Sequence, residues 1–272
     1  MELLRTSFSW VGSEETLLDS PAVTKAGCVT IGRYGGHTAA GAKKNEDGCL
    51  VWCNKEYEWE FTMILDAHNT AQSAEIVLDA LEKERESLHV LLNQPAQSCL
   101  PMLEERIVSI FQSPAFKEKC SQIKGETACL IAVRKSNYLW WFSVGDNLIF
   151  LFADELKSLG QQQLNTRNFY EWIGQVNTFD QEVPCYSTGR RELRQGNNLI
   201  LLTTDGLVEC PNEPFTDHNI IYKRFQDRKN DEAVQSLLED VQYNKGTDSV
   251  TMLAWNVNNT KKAAMPSNMP SL

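Results

Sequence analysis

The sequence lacks any apolar run long enough to cross a membrane. A spanning helix needs about 20 consecutive apolar residues, and the longest runs here are far shorter. The first ten residues, MELLRTSFSW, contain no apolar core of the length found in signal peptides. We therefore expect neither a membrane anchor nor a secretion signal.

Basic residues are scarce relative to acidic ones. The chain has 26 lysines and arginines against 36 aspartates and glutamates, which gives a formal net charge of -10. Because proteins bind nucleic acids largely through the phosphates, this balance argues against a nucleic-acid partner. It would also repel an anionic substrate unless a local cation compensates.

A zinc-type cluster of cysteines and histidines is missing as well. The eight cysteines are scattered, Cys49 and Cys53 are the closest pair, and no second pair completes a zinc site. Several cysteines lie inside apolar runs, as Cys129 does in ACLIAV, which favours reduced thiols in the core. Reduced thiols are typical of a reducing compartment, so we expect a cytoplasmic protein.

The chain has the composition of an ordinary globular protein, with 42% hydrophobic and 23% charged residues over 272 positions. Helical spacing of apolar residues predicts helices over 71–92, 100–112 and 220–243. Strands outnumber helices, and the clearest apolar strands are CLVWC, FTMIL, ACLIAVR, YLWWFSVG, LIFLFA, NNLILLTT and SVTMLAWNV. Helices between groups of strands predict a layered sheet core with helices outside it.

No internal repeat and no long linker divides the chain. We therefore expect one domain over residues 1–257, followed by a disordered polar tail over residues 258–272. Residues 152–197 contain scattered glycines and no clear periodicity, which predicts an irregular excursion on the surface of that domain.

Carboxylates border five of the apolar strands. One such aspartate is routine in a turn, so capped turns that never meet are one interpretation. If the strand ends converge, the buried carboxylates would raise one another's pKa, and hard ions such as Mg²⁺ or Mn²⁺ would relieve the repulsion through an all-oxygen site. The residues concerned are Glu46 with Asp47, Asp66, Asp146, Asp205 and Asp248.

Six short motifs stand in a recognisable order at these strand ends. They are NEDG (45–48), DAHN (66–69), GETA (125–128), GDN (145–147), TDG (204–206) and DSVT (248–251). Over roughly residues 25–257 the chain thereby resembles a divergent, bacterial-like member of the PPM family of metal-dependent serine/threonine protein phosphatases, the protein phosphatase 2C type. The resemblance implies an α+β fold, a four-layer αββα sandwich in which two antiparallel sheets are flanked by helices.

The resemblance also implies a metal centre of two Mn²⁺ or Mg²⁺ ions. Asp66 would bridge both ions, and Asp205 and Asp248 would complete the protein ligands of the first. Glu46 and the backbone carbonyl of Ala67 would bind the second ion.

Further roles are implied for three residues and one segment. Asp146, together with Asp205, would correspond to a third, weaker metal site. Asp47 would hold a metal-bound water by hydrogen bonding, and His68 would protonate the leaving serine or threonine oxygen. Residues 152–197 would correspond to the variable flap beside the active site.

The chain departs from the family pattern at the position whose side chain binds the substrate phosphate in the family. The family commonly places an arginine four residues before the motif glutamate, and Ala42 stands there. Lys43, Lys44 and the upstream Arg33 are the candidate replacements, although each is equally well explained as a surface charge.

Two family glycines and one asparagine are also replaced. Ala67 stands for the glycine whose carbonyl is a ligand, Asn69-Thr70 stands for the pair that follows in the motif, and Ser249 stands for the asparagine beside the last aspartate. Alanine keeps the carbonyl ligand if its φ is negative. We interpret these changes as altered substrate handling with the carboxylate ligands retained.

The leading hypothesis is therefore a monomeric, cytoplasmic phosphoprotein phosphatase that hydrolyses phosphoserine and phosphothreonine by direct attack of a metal-activated water. One alternative is a pseudophosphatase that acts as a regulatory binding module, motivated by Ala42 and the altered glycines. Another is a metal-dependent hydrolase of a small phosphate ester. None of the three involves a nucleic acid or a membrane.

Overall fold

The structure, a computed structural model, describes residues 6–267. The strands of this part are β1 (Ser7–Val11), β2 (Ala22–Ala26), β3 (Val29–Tyr34), β4 (Gly48–Asn54), β5 (Trp59–His68), β6 (Glu126–Lys135), β7 (Tyr138–Val144), β8 (Leu148–Phe152), β9 (Ile173–Gly174), β10 (Ser187–Glu192), β11 (Gly196–Thr203) and β12 (Val250–Asn259). Its helices are α1 (Gln72–Lys83), α2 (Arg85–Leu92), α3 (Ala96–Gln112), α4 (Pro114–Gln122), α5 (Asp154–Ser158), α6 (His218–Gln226) and α7 (Asn230–Tyr243).

The strands form two antiparallel sheets. In the first sheet the order is β1-β4-β5-β6-β7-β10, with the short β9 paired to β6. In the second sheet the order is β2-β3-β12-β11-β8. The chain enters the second sheet with β2 and β3 and returns to it for β8, β11 and β12, so both sheets are assembled from distant parts of the sequence.

Burial on both faces explains why the central strands read as unbroken apolar runs. Successive side chains of a strand point to opposite faces. In β5, Met63 and Leu65 pack with the layer of α1 to α4, whereas Ile64 packs between the sheets with Leu253 of β12. Helices α6 and α7 cover the outer face of the second sheet. This arrangement confirms the predicted αββα sandwich.

Several element boundaries differ from the sequence prediction. The helix predicted over 71–92 is two helices, because the chain leaves helical geometry at Glu84. Ser113 and Pro114 end α3 but also begin α4, since the Ser113 side chain accepts a hydrogen bond from the Phe116 amide and proline is suited to a first helical turn. The apolar pattern did not predict strand β1, because it is a short edge strand with polar residues at alternate positions.

The excursion and the tail also contain more structure than predicted. Within residues 152–197, the polar strand β10 adds an edge to the first sheet by pairing with β7. Strand β12 continues to Asn259, two residues into the segment predicted as a tail. Residues 1–5 and 268–272, the ends of the predicted domain and tail, lie outside the described residues. Across the described part of the chain, no helix is both long and apolar enough to span a bilayer.

Candidate functional site

Strand pairing brings the predicted carboxylates to one end of the sandwich. Gly48 pairs with Leu65, so the turn before β4 lies beside the end of β5 that carries Asp66. Thr203 pairs with both Leu148 and Met252, which places the turn after β11 between the turn before β8 and the start of β12. The carboxylates at these ends are Asp47, Asp66, Asp146, Asp205 and Asp248.

Asp47 lies at the floor of this cluster, fully removed from solvent. Its Oδ2 accepts hydrogen bonds from Thr251 Oγ1 at 2.7 Å and from Thr204 Oγ1 at 3.2 Å, and its Oδ1 accepts one from Ser249 Oγ at 3.0 Å. Burial raises the pKa of Asp47 to about 7, although these hydroxyl groups act in the opposite direction. Asp47 directly precedes β4 of the first sheet and is thus held by hydroxyl groups in and beside strands β11 and β12 of the second sheet.

The neighbouring carboxyl groups also have raised pKa values. Burial is the largest cause of the raised pKa of Asp66, followed by the charges of nearby aspartates, Asp47 first. Burial and then the charge of Asp146 raise the pKa of Asp205 to about 7. Loss of solvation also raises the pKa of Asp248, although this residue remains exposed at the edge of the cluster. Loss of solvation and the charges of neighbouring carboxylates thus make these groups harder to ionise than aspartates in water.

A depression of about 490 Å³ opens above this cluster. On its rim, Lys44 Nζ contacts Glu46 Oε2 at 2.6 Å and donates a hydrogen bond to the Asn69 carbonyl at 2.7 Å. The other oxygen of Glu46, Oε1, is buried and has no hydrogen-bond partner in the described part of the chain. The lining residues are Gly41, Ala42, Lys43, Lys44, Glu46, Asp66, Ala67, His68, Asn69, Thr247, Asp248 and Ser249.

His68 stands half-exposed on the same rim. Its Nδ1 lies 3.6 Å from Asp66 Oδ1, so the ring is beside the carboxylate but free to contact a molecule in the depression. Ala67 keeps a negative φ within β5, as the carbonyl-ligand prediction requires. Asn69, which replaces a motif glycine, adopts φ 75°, and asparagine tolerates this left-handed conformation better than most residues.

The three basic residues predicted to bind a substrate phosphate differ in their position relative to the depression. Lys43 and Lys44 line the depression. Arg33 does not, because its guanidinium is buried over the rings of Phe8 and Trp10 and pairs with Glu15 at 3.3 Å. Two of the three candidates thus face the depression, with Lys44 already paired to Glu46, and Arg33 is engaged elsewhere.

Sequence reasoning missed one arginine at the site. Arg167 Nη2 lies 2.8 Å from Asp205 Oδ2, 3.3 Å from Asp146 Oδ2 and 2.5 Å from Glu209 Oε1. Arg167 falls in the irregular segment after β8, and Glu209 follows the TDG motif without belonging to it. No periodicity or motif marks either residue, so only the folded chain shows that they meet.

The donor set suits a hard divalent ion, although it is not preformed. As they stand, no three histidine, cysteine, aspartate or glutamate side chains within residues 6–267 are arranged to hold a metal ion. The chemistry nevertheless fits, because the donors are oxygens, their charges raise one another's pKa, and Glu46 Oε1 is buried without a partner. Carboxylates of this cluster would have to turn toward an ion to bind it.

Comparison of the whole chain with known proteins finds similarity in structure alone. No protein-family profile matches the sequence, and no curated protein is significantly similar to it. Among solved structures, a bacterial serine phosphatase superposes with a TM-score of 0.63 at 16% identity, covering 87% of this chain and 99% of that one. The serine/threonine phosphatase Stp1 from Staphylococcus aureus gives 0.63 at 15% identity, covering 84% and 94%.

A third structure, RsbX in complex with magnesium, gives a TM-score of 0.56 at 12% identity and covers 87% of this chain and 100% of that one. These similarities extend over nearly the full length of each solved structure. At such low identity they establish the fold. The chain has the two-sheet α+β fold of these three solved structures.

Proposed function

We propose that this protein is a phosphatase of the PPM type that depends on divalent metal ions and hydrolyses phosphoserine and phosphothreonine in proteins. The observation that carries the proposal is the convergence of Asp47, Asp66, Asp146, Asp205 and Asp248 beneath a depression rimmed by two lysines and a histidine. Asp47, Asp66 and Asp205 are buried, and buried carboxylates destabilise a fold unless hydrogen bonds or a cation compensate them. The fold shared with bacterial phosphatases supports the same assignment.

The residues that would hold two ions are Asp66, Asp205 and Asp248, with Glu46 and the carbonyl of Ala67. When bound, Mn²⁺ or Mg²⁺ would supply an activated water and offset the charge of the phosphoryl group. Chelation should therefore abolish hydrolysis.

The chain's own residues would orient the substrate and handle its protons. Lys43 and Lys44 offer positive charge to a phosphate in a protein whose net charge is -10. His68 is half-exposed beside Asp66, where it can protonate the departing serine or threonine oxygen. Asp47, whose oxygens accept three hydroxyl hydrogen bonds, would accept a further hydrogen bond from a water above it.

The test is hydrolysis of phosphoserine and phosphothreonine peptides in the presence of Mn²⁺ and after chelation. We expect Asp205→Ala and Asp248→Ala to lower kcat at least about a hundredfold, since both remove a metal ligand. Asp231→Ala is the matched control, because Asp231 pairs with Lys25 at 2.8 Å on the protein surface, outside the cluster. Equal activity of Asp205→Ala, Asp248→Ala and the parent protein would contradict the proposal.

Two other outcomes would redirect the assignment. Mn²⁺ binding without turnover of any phosphopeptide would indicate a regulatory binding module. A kcat/KM for small phosphate esters far above that for peptides would indicate a metabolite phosphatase.

A further inference from the structure

Arg167 is surrounded by carboxylates from two different parts of the chain. Its Nη2 contacts Asp146 in the turn before β8, and it contacts Asp205 and Glu209 in the segment after β11. The guanidinium also lies over the Phe169 ring, 5.0 Å from its centroid. Three carboxylates thus share one cation that belongs to the chain itself.

The backbone around Arg167 is tied to the turn that carries Asp146. The buried side chain of Asn165 donates to the Asn147 carbonyl at 2.7 Å, and it accepts a hydrogen bond from the Ile149 amide at 3.1 Å. On the other side, the Asn168 amide donates to the Gly145 carbonyl at 3.1 Å. The chain is therefore anchored at Asn165 and at Asn168, on either side of Arg167. The position of Arg167 thus does not depend on its own side-chain contacts alone.

A divalent ion and this guanidinium would compete for the same oxygens. Mg²⁺ binds carboxylate oxygens at about 2.0–2.1 Å, whereas Asp205 Oδ2 and Asp146 Oδ2 already face Arg167 Nη2 at 2.8 and 3.3 Å. An ion bound to both of these oxygens would lie against a permanently charged guanidinium. Repulsion between the two cations therefore opposes binding of a divalent ion at this edge of the cluster while Arg167 holds both oxygens.

We propose that Arg167 is a built-in counterion that occupies the edge between Asp146 and Asp205 in place of a divalent ion. The inference rests on the proposed function in one respect, namely that divalent ions bind elsewhere in the cluster. It reassigns Asp146, which becomes a partner of Arg167 and not a metal ligand. Arg167 is thus a positioning residue, since it acts through the carboxylates and links the segment 152–197 to the site.

The test counts Mn²⁺ ions bound to the full chain, without substrate, by equilibrium dialysis and calorimetry. We expect Arg167→Gln to bind one Mn²⁺ more than the parent protein, or to bind its weakest ion at least about tenfold more tightly. Arg167→Lys retains a cation and should keep the parent stoichiometry. Arg224→Gln is the matched control, because it breaks a half-buried pair with Asp240 (2.6 Å) that lies outside the cluster.

A second measurement follows thermal unfolding at pH 8 with chelator and with Mn²⁺. Removing the counterion should lower the melting temperature of metal-free Arg167→Gln, and Mn²⁺ should raise it by more than in the parent protein. Unchanged Mn²⁺ stoichiometry and affinity in Arg167→Gln, with an unchanged melting temperature, would overturn the inference.

Failure of the proposed function has a different signature. If the parent protein binds no Mn²⁺ and hydrolyses no phosphate ester, yet Arg167→Gln gains an ion, the counterion role stands without the phosphatase. If the parent hydrolyses phosphopeptides with Mn²⁺ but Arg167→Gln gains no ion, the phosphatase stands without the counterion. Circular dichroism on each variant confirms that it is folded, and Arg167→Met serves if Arg167→Gln is not.

Discussion

Thr251 Oγ1 donates a hydrogen bond to Asp47 Oδ2 at 2.7 Å and thereby joins the second sheet to the first at the floor of the carboxylate cluster. Both residues are fully buried. Thr204 supports the same contact from the neighbouring strand end, since its Oγ1 accepts a hydrogen bond from the Thr251 amide at 3.0 Å. The site is thus assembled only when the two sheets pack together.

Loss of the Thr251 hydroxyl should weaken this junction. At pH 8, above the raised pKa of Asp47 of about 7, Thr251→Val keeps the shape of the side chain but leaves the buried carboxylate with one donor fewer, which costs about 1.5–3 kcal/mol for a hydrogen bond to a charged group. Thr251→Ser restores a hydroxyl and should recover most of the loss. Urea denaturation of the three proteins measures the difference, and equal midpoints for Thr251→Val and the parent would contradict it.

The stability of the metal-free protein should depend on pH, because the pKa values of two buried carboxyl groups are raised. Asp47 and Asp205 have ordinary pKa values of 3.8 that rise to about 7 in the folded chain. The folded state therefore holds these protons more tightly than the unfolded state, and the stability gained is complete below about pH 4 and lost as the pH rises through 7.

We accordingly expect the melting temperature in chelator to be about 5 °C or more lower at pH 8 than at pH 5, because 1 kcal/mol corresponds to about 2–4 °C in domains of comparable size. Mn²⁺ should restore it most at pH 8, where the carboxylates are ionised. Asp205→Asn should flatten the profile. A melting temperature that rises from pH 5 to pH 8 in chelator would show that other groups control stability.

The contribution of His68 to kcat should increase with the basicity of the leaving oxygen. His68→Gln removes a proton donor but keeps a polar side chain, and we expect kcat to fall about a hundredfold or more on phosphoserine peptides. An aryl phosphate has a leaving oxygen that needs little protonation, so its hydrolysis should fall less than tenfold. Equal losses on both substrates would indicate that His68 positions the substrate without donating a proton.

The lysines on the rim should act on substrate binding. Lys43→Met removes a charge beside the depression, and we expect KM for phosphopeptides to rise about threefold to tenfold with a smaller change in kcat. Lys55→Met is the control, because Lys55 is exposed in the turn between β4 and β5, at the far end of β4 from Glu46. A KM that rises equally in both variants would point to a general effect of net charge.

The sequence indicated the carboxylates of the site but not its arginine, for a physical reason. Asp66 lies near the end of β5 and Asp205 follows β11, and both strands are buried on both faces, so an apolar run that stops at a carboxylate marks each residue. Arg167 meets partners that are 21, 38 and 42 residues away along the chain, from a segment with no periodicity. Edge strands such as β1 and β10 were missed similarly, because one-sided burial leaves little apolar signal.

Gly125 shows how closely the motif segments approach one another. It has φ 90°, and a Cβ built there would lie 2.1 Å from the His68 carbonyl oxygen. Gly125→Ala would therefore have to displace His68 at the end of β5, so we expect a loss of about 2–4 kcal/mol in the free energy of unfolding. Activity should fall as well, because His68 moves with its backbone.

Gly160→Ala separates this clash from the cost of a left-handed backbone alone. Gly160 has φ 66°, and a Cβ there would have no neighbour within 4 Å, so the variant should lose only about 1 kcal/mol. Urea denaturation of both variants provides the comparison, with phosphopeptide hydrolysis as the second readout. If both substitutions lower the free energy of unfolding equally, the left-handed backbone conformation alone accounts for the need for glycine at position 125. A larger cost at Gly125, with activity lost in that variant only, would show that the glycine is needed where β6 passes the His68 carbonyl.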